Sequence, residues 1–264
     1  MAVLHPQINP VALDLGFVEL HWYGLMYLLA FAAAYFLAWY RTKSRSDFTA
    51  EMVSDLVFFG SLGVILGGRI GYVILYNFSE FISNPSYLFR VWEGGMSFHG
   101  GFIGVLLAMW YFAHKYKKAP FTVLDFIAPC VPTGLLFGRI GNFINGELWG
   151  RHTDMPWGVV FPKVDNLPRH PSQLYQAFLE GIVLFVLLNW YRKMSPPMGA
   201  MSGLFLIGYG VARILAEFFR EPDQQIGYLA WGWLTEGQLL SLPMLFIGAF
   251  FIWGAYHRVK GAKA

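Results

Sequence analysis

The chain has 264 residues, of which 56% are hydrophobic and 19% aromatic, and only 13% are charged, against roughly 25% in a soluble globular domain. That balance excludes an ordinary soluble domain and indicates an integral membrane protein. The single cysteine, Cys130, excludes an internal disulfide and no Cys/His cluster has zinc spacing, so no metal or cofactor is expected; the net charge of +3 says less than where the charges lie, and no nucleic-acid partner is expected.

In chain order, the N-terminal "HPQINPVALDLGFVEL" mixes prolines with apolar residues, and reads either as an arm lying at the membrane interface or as a disordered one. A spanning helix needs about 20 mostly apolar residues. Seven stretches qualify: Leu20 to Tyr40, Leu56 to Leu75, Gly94 to Ala113, Phe126 to Ile144, Ser172 to Tyr191, Gly199 to Phe219 and Gly237 to Tyr256. The first is preceded by no basic residue and is longer than a signal-peptide core, so it is expected to stay in the mature protein. Arg41, Lys43 and Arg45 follow the first span, Lys115, Lys117 and Lys118 the third, Arg192 and Lys193 the fifth, and Arg258, Lys260 and Lys263 the seventh. The alternate segments hold only Arg90, Arg151, Lys163, Arg169 and Arg220. By the positive-inside rule the N-terminus is outside and the C-terminus cytoplasmic. Between the fourth and fifth spans, about 145–170, the turn formers "TDMPWG" and "NLPRHP" indicate a small outer head. The expected fold class is therefore all-α, with seven transmembrane helices in one integral domain over 1–264, an outer arm at about 1–19 and an outer head at about 145–170.

Three arginines lie inside spans: Arg69 in the second, Arg139 in the fourth and Arg213 in the sixth. An arginine at mid-membrane costs about 2.5–3.5 kcal/mol on insertion scales, so each requires a partner or a polar cavity. At a rise of about 1.5 Å per residue, all three lie about 20 Å beyond the inner ends of their helices. His99 starts near the outer end of the third span, so the four positions can share one layer of the outer leaflet. For each arginine alone a buried ion pair is the simpler reading, and Glu217, one turn after Arg213, is a ready partner. Three at one depth favour a bound anion, because guanidinium grips phosphate through two parallel hydrogen bonds and lipid headgroups are the plentiful anions there. Gly67–Gly71, Gly100–Gly104 and Gly134–Gly138 have the GxxxG spacing of closely packed helices, which is expected to bring the second, third and fourth helices together.

The stretches "HWYGLMY" at 21–27, "GGRIGYV" at 67–73, "GGMSFHGGFIG" at 94–104, "GRIGNFINGELWGR" at 138–151, "RHPSQLY" at 169–175 and "FFREPD" at 218–223 closely resemble those of the bacterial prolipoprotein diacylglyceryl transferases, over nearly the whole chain. Phe102 departs from the leucine more usual there and puts no chemistry in doubt. The resemblance implies a multi-pass enzyme of the bacterial inner membrane, its active site in the outer leaflet facing the periplasm. It would move the diacylglyceryl group of phosphatidylglycerol onto the lipobox cysteine of a preprolipoprotein signal peptide, forming a thioether and releasing glycerol 1-phosphate. The family's important positions fall on Tyr23, His99, Arg139, Asn142, Glu147, Gly150 and Arg213, with Asn145 and Arg69 supporting. It needs no cofactor, and its partners are the two substrates and membrane lipid.

Residue chemistry gives each position a role beside a plainer one. Arg139 and Arg213 would stabilise charge on the departing phosphate, with Glu217 beside them. Asn142, three residues after Arg139, reads either as a headgroup contact or as an interhelical hydrogen bond, and Glu147 either binds headgroup hydroxyls or pairs with a nearby basic residue. Gly150 is expected in a tight turn. His99 reads as a general base for the substrate thiol, or as a polar residue bracing two helices. Cys130, about 13 Å from Arg139 along a helix, is a poor nucleophile, so the thiol must be the substrate's. A transporter of an anionic lipid is the competing reading, and it predicts broken helices and an inverted repeat. The only repeat is "GRIG" at 68–71 and 138–141. A scaffold without chemistry leaves His99 and the arginines unexplained.

Overall fold

Caps, glycine spacing and apolar content convert most of the expected spans into helices. The computed structural model describes residues 3–16, 19–45, 47–222 and 227–261. Phe17 and Val18 of the arm, Asp223 of the "FFREPD" stretch and Lys263 of the basic count lie outside them, as do the first two residues. Strands β1 (Val3–Leu4), β2 (Val11–Asp14) and β3 (Glu19–His21) precede helix α1 (Trp22–Thr42). Helix α2 (Ala50–Tyr76) is followed by the short α3 (Phe78–Ser83), 3-10 turns at Pro85–Phe89 and Val91–Glu93, and α4 (Phe98–Lys115). Helix α5 (Pro120–Ile127) leads through a 3-10 turn at Ala128–Cys130 into α6 (Val131–Asn145). After β4 (Val159–Val160) and β5 (Pro168–Arg169), helix α7 (Ser172–Gln176) continues through a π-helical stretch, Ala177–Val183, into α8 (Leu184–Arg192). Helices α9 (Ala200–Glu217) and α10 (Glu236–Gly261) follow.

Among the described residues six helices are long and apolar enough to cross a membrane: Trp22–Thr42, Ala50–Tyr76, Pro120–Asn145, Ser172–Arg192, Ala200–Glu217 and Glu236–Gly261. The protein is an all-helical integral membrane protein in its spanning part. The third expected span is helical as α4, but it has 18 residues and includes His99, His114 and Lys115, which dilute its apolar content below that of the six.

The chain divides into two compact units, Met1–Ala34 with Asp125–Ala264, and Tyr35–Leu124. In the second unit α2 and α4 pack along their glycines. Thr49 caps α2 and Ser97 caps α4, each accepting from a backbone N–H three residues on. A Cβ on Gly67 would strike the Gly100 carbonyl oxygen, and one on Gly104 the Gly63 carbonyl oxygen. Two of the three GxxxG spacings therefore form the expected close crossing. The third does not: Gly138 has nothing within 4 Å of such a Cβ, and Gly134 meets only the Ala30 methyl at 4.0 Å. Gly104→Ala is expected to destabilise the protein by about 1–3 kcal/mol through overpacking, read as a lower unfolding midpoint in detergent. Gly60→Ala, where a Cβ would lie 3.6 Å from Met109 Cε, is the matched substitution expected to leave the midpoint unchanged.

In the first unit Asp125 caps α9 from a distant element, accepting from Gly199 N at 2.6 Å, Ser202 N at 2.8 Å and Ser202 Oγ at 2.5 Å. Buried Ala128, Leu184, Leu188 and Met201 form a core beside it. Gly203 and Gly248 bring α9 and α10 together, each blocking a Cβ on the other. The same unit departs from the all-α expectation in its connecting segments. β4 and β5 pair antiparallel, and β1 joins β4 in parallel. The arm's beginning is therefore paired into this sheet: His5 N donates to Val160 O, the imidazole stacks on Phe161 at 4.9 Å, and Nε2 lies 2.6 Å from Phe143 O. β2 and β3 form an antiparallel hairpin leading into α1.

Candidate active site

Helix α6 carries "GRIGNFIN", and Arg139 on it meets a carboxylate that spacing did not point to. Arg139 Nε and Nη2 each lie 3.2 Å from Oε2 of Glu180. Glu180 is fully buried and sits in the π-helical stretch. Its other oxygen lies 3.8 Å from Arg213 Nη1 on α9. Arg213 Nη2 also reaches Glu217 Oε1 at 2.7 Å. Glu217, equally buried, takes Arg220 Nη1 at 3.3 Å and Thr235 Oγ1 at 2.8 Å as well. Gly237 makes room, since a Cβ there would lie 2.8 Å from Glu217 Cδ. The ion pair expected between Arg213 and Glu217 is thus present, and Glu217 also accepts from Arg220 and Thr235. The two arginines share one carboxylate, so neither is a free cation; a buried arginine without such a partner would be strongly disfavoured.

Asn142 is buried on α6, and its side-chain amide makes no hydrogen bond among the described residues. Tyr23 packs against the same helix at Gly141, where a Cβ would lie 3.1 Å from its ring, within electrostatic reach of Arg139 and Glu147. Tyr209 on α9 faces Glu180, Arg213 and Arg139 in the same way. The first unit therefore gathers Arg139, Tyr209 and Arg213 around the buried Glu180, with Tyr23 within electrostatic reach of Arg139 and Asn142 nearly one turn along α6.

The loop after α6 begins with Gly146 in the left-handed conformation, φ 69°, which ends the helix, and it holds Leu148 at φ 55°. A β-carbon is strained there, and the loop is held by an unbroken row of backbone contacts. The Glu147 carbonyl accepts from Gln173 Nε2 at 2.5 Å, that of Leu148 from Ser172 Oγ at 2.8 Å, that of Trp149 from Glu221 N at 3.2 Å, and that of Gly150 from Arg169 Nη1 at 3.0 Å. "RHPSQLY" is thus a bracket for "NGELWG". Asn145 Nδ2 donates to Glu147 Oε1 at 2.6 Å, so among the described residues Glu147 takes an amide and no basic residue. Gly150 is not in a tight turn. Its N–H donates to His170 O at 2.9 Å, and a Cβ would lie 2.6 Å from Phe219 O and 2.7 Å from His170 Cβ; glycine is needed for close approach of two backbones. Arg169 beside Asp165 holds that carboxyl well below the usual range against its burial, with His152 helping. His170, pushed down by burial and by Arg151, bonds Tyr175 Oη at 3.1 Å through Nδ1.

In the second unit Arg69 is buried and makes four backbone bonds: Nε to Leu88 O at 3.1 Å, Nη2 to Tyr87 O at 2.6 Å, and Nη1 to Gly94 O at 2.5 Å and Gly95 O at 3.3 Å. Among the described residues Arg69 has no ion-pair partner, and its four backbone bonds fasten the segment between α2 and α4. His99 lies in the first turn of α4 with its ring exposed and edge-on to Phe98 at 5.7 Å. It braces no partner helix among the described residues. What sequence reading missed was Glu180, Gln173 and Tyr209. Glu180 carried a signal, since it is the only acidic residue inside the expected fifth span, and a charge inside a span calls for a partner.

A family model described as prolipoprotein diacylglyceryl transferase matches residues 10–254. The chain belongs to the prolipoprotein diacylglyceryl transferase family. A phosphatidylglycerol–prolipoprotein diacylglyceryl transferase of Acinetobacter baylyi is 60% identical to it, covering 96% of this chain and 94% of its own. Proteins of the same name from Psychrobacter arcticus and Acinetobacter baumannii are each 57% identical, covering 97% and 96% of this chain and 96% and 95% of their own. The motifs that carried the resemblance map onto the arginine pair, its bracketed loop and the glycine crossing of α2 with α4. The arginines of the expected spans fall in both units, Arg139 and Arg213 in the first and Arg69 in the second.

Proposed function

We propose that this protein is a phosphatidylglycerol–prolipoprotein diacylglyceryl transferase acting in the bacterial inner membrane. The observation that carries the chemistry is the arginine pair joined through Glu180 inside apolar helices, in a chain whose relatives bear that name. The substrate thiol attacks the glyceryl carbon that bears the phosphate; the S–C bond forms, the C–O bond breaks, and its electron pair leaves with glycerol 1-phosphate. Arg139 and Arg213 hold the phosphate and meet the charge that grows on it. Tyr23 and Asn142 line the same place; Asn145, Glu147 and Gly150 shape the loop beside it; Glu217 and Arg69 keep their units in register. His99 takes the thiol proton.

The same reading takes α4 as the seventh span and the chain as one integral domain, N-terminus outside and C-terminus in the cytoplasm, with the arm and head outside and the site in the outer leaflet. The alternation of basic residues supports it. Reporters fused after Lys118 and after Lys163 are expected in opposite compartments, and agreement between them overturns the topology. For the activity, purified protein is incubated with labelled phosphatidylglycerol and a lipobox peptide. Label covalently on the cysteine is the expected result. Movement of lipid between leaflets without transfer supports the transporter instead.

A further inference from the structure

Four buried polar atoms of Gln176, Glu180 and Arg213 have no hydrogen-bond partner among the described residues: Oε1 and Nε2 of Gln176, Oε1 of Glu180 and Nη1 of Arg213. Gln176 is fully buried at the end of α7, where the π-helical stretch begins. Glu180 follows four residues later, nearly one turn on, and the segment packs against α6 and α9. Buried amides almost always find partners, and one that does not calls for a reason. A π-helical stretch inside an α-helix is frequently a mark of a functional site.

The four atoms are two acceptors and two donors. A phosphate oxygen only accepts, so it can serve the donors alone, and an ammonium group only donates. A hydroxyl does both. One hydroxyl between Glu180 Oε1 and Arg213 Nη1, which stand 3.8 Å apart, satisfies that pair, and a second on Gln176 satisfies both ends of the amide. Resting on the reading of phosphatidylglycerol as donor lipid, we infer that Gln176, with Glu180 and Arg213, recognises the two neighbouring hydroxyls of the glycerol headgroup. The residue is thereby a determinant of headgroup specificity, separate from the arginine grip on phosphate.

The experiment compares phosphatidylglycerol with phosphatidylpropanol, which has the same phosphodiester charge and no headgroup hydroxyl, each with a lipobox peptide. A site that hydrogen-bonds a hydroxyl rejects the analogue lacking it, so the unaltered enzyme is expected to prefer phosphatidylglycerol by about 10²-fold or more in kcat/KM. Gln176→Leu is expected to lose about tenfold or more on phosphatidylglycerol and little on phosphatidylpropanol. Its thermal midpoint should not fall, because an apolar isostere leaves no unpaired amide. Equal use of the two lipids by the unaltered enzyme overturns the inference whether or not the variant folds. A variant that keeps the preference, or loses both activities together with stability, overturns it too and marks Gln176 as a structural or water-bridging residue. Failure of the unaltered enzyme to transfer from phosphatidylglycerol at all refutes the functional reading itself, and is distinct from every outcome above.

Discussion

Arg139→Lys is expected to lower transfer from phosphatidylglycerol by about 10²–10³-fold, the usual effect of removing one donor aimed at developing charge, while the protein stays folded. Lysine keeps the positive charge and can still reach Glu180, so the carboxylate is not abandoned. It cannot keep one edge on Glu180 and offer a second edge to phosphate, as the planar fork of Arg139 can. Nε and Nη2 are engaged by Glu180 at 3.2 Å each, and Nη1 makes no hydrogen bond among the described residues. The loss should appear in kcat for the transfer step, with the unfolding midpoint close to that of the parent. Arg213→Lys is expected to be milder in activity and to cost more stability, because Arg213 is held by the buried Glu217 at 2.7 Å. Near-normal turnover of Arg139→Lys in a folded protein removes the phosphate grip from the mechanism.

What the sequence made legible follows what membrane physics writes into local patterns. Length and apolar content locate helices, because backbone polar groups in lipid must be satisfied within the segment; six of the seven expected spans meet that test by length and composition. The glycine crossing of α2 and α4 was legible because small residues four apart lie on one face. Gly134 and Gly138 have the same spacing but make no tight crossing, Gly134 meeting only the Ala30 methyl of α1 at 4.0 Å, since spacing says nothing of what stands opposite. The arginines were legible as anomalies, their partners only in part. Glu217 lies one turn from Arg213, whereas Glu180 comes from another helix 41 residues beyond Arg139. The partners of Arg69 are hidden for a related reason: four carbonyls of an irregular segment accept from it, and backbone acceptors leave no trace in composition. Gly150 was assigned to a turn because a glycine's need for space against a distant strand looks locally the same as a need for freedom of φ. The arm's first strand escaped notice because its partner, β4, is two residues long and lies more than 150 residues away.

His99→Gln is expected to fold and to lose about 10²–10⁴ of the transfer rate at neutral pH, the range of general acid–base catalysis, with the deficit shrinking as pH rises. Exposed in the first turn of α4, the imidazole has no bracing partner among the described residues, so its loss should leave the helix packing intact. Ser97, which caps the same turn and donates its own backbone N–H to Gly68 O at 2.9 Å, holds the helix start independently. Glutamine still donates and accepts hydrogen bonds but cannot take a proton. A free thiol has a reference value near 8.5 and an imidazole one near 6.5, a gap of about two units, so at neutral pH a base is needed. Above about pH 8.5 the thiol ionises unaided, and the variant should approach the parent. The measurement is the ratio of the two rates from about pH 6 to pH 9.5, with the lipobox peptide and phosphatidylglycerol both saturating. A deficit that stays constant across that range assigns His99 to substrate positioning and leaves the proton to another group; one that closes with rising pH makes it the base.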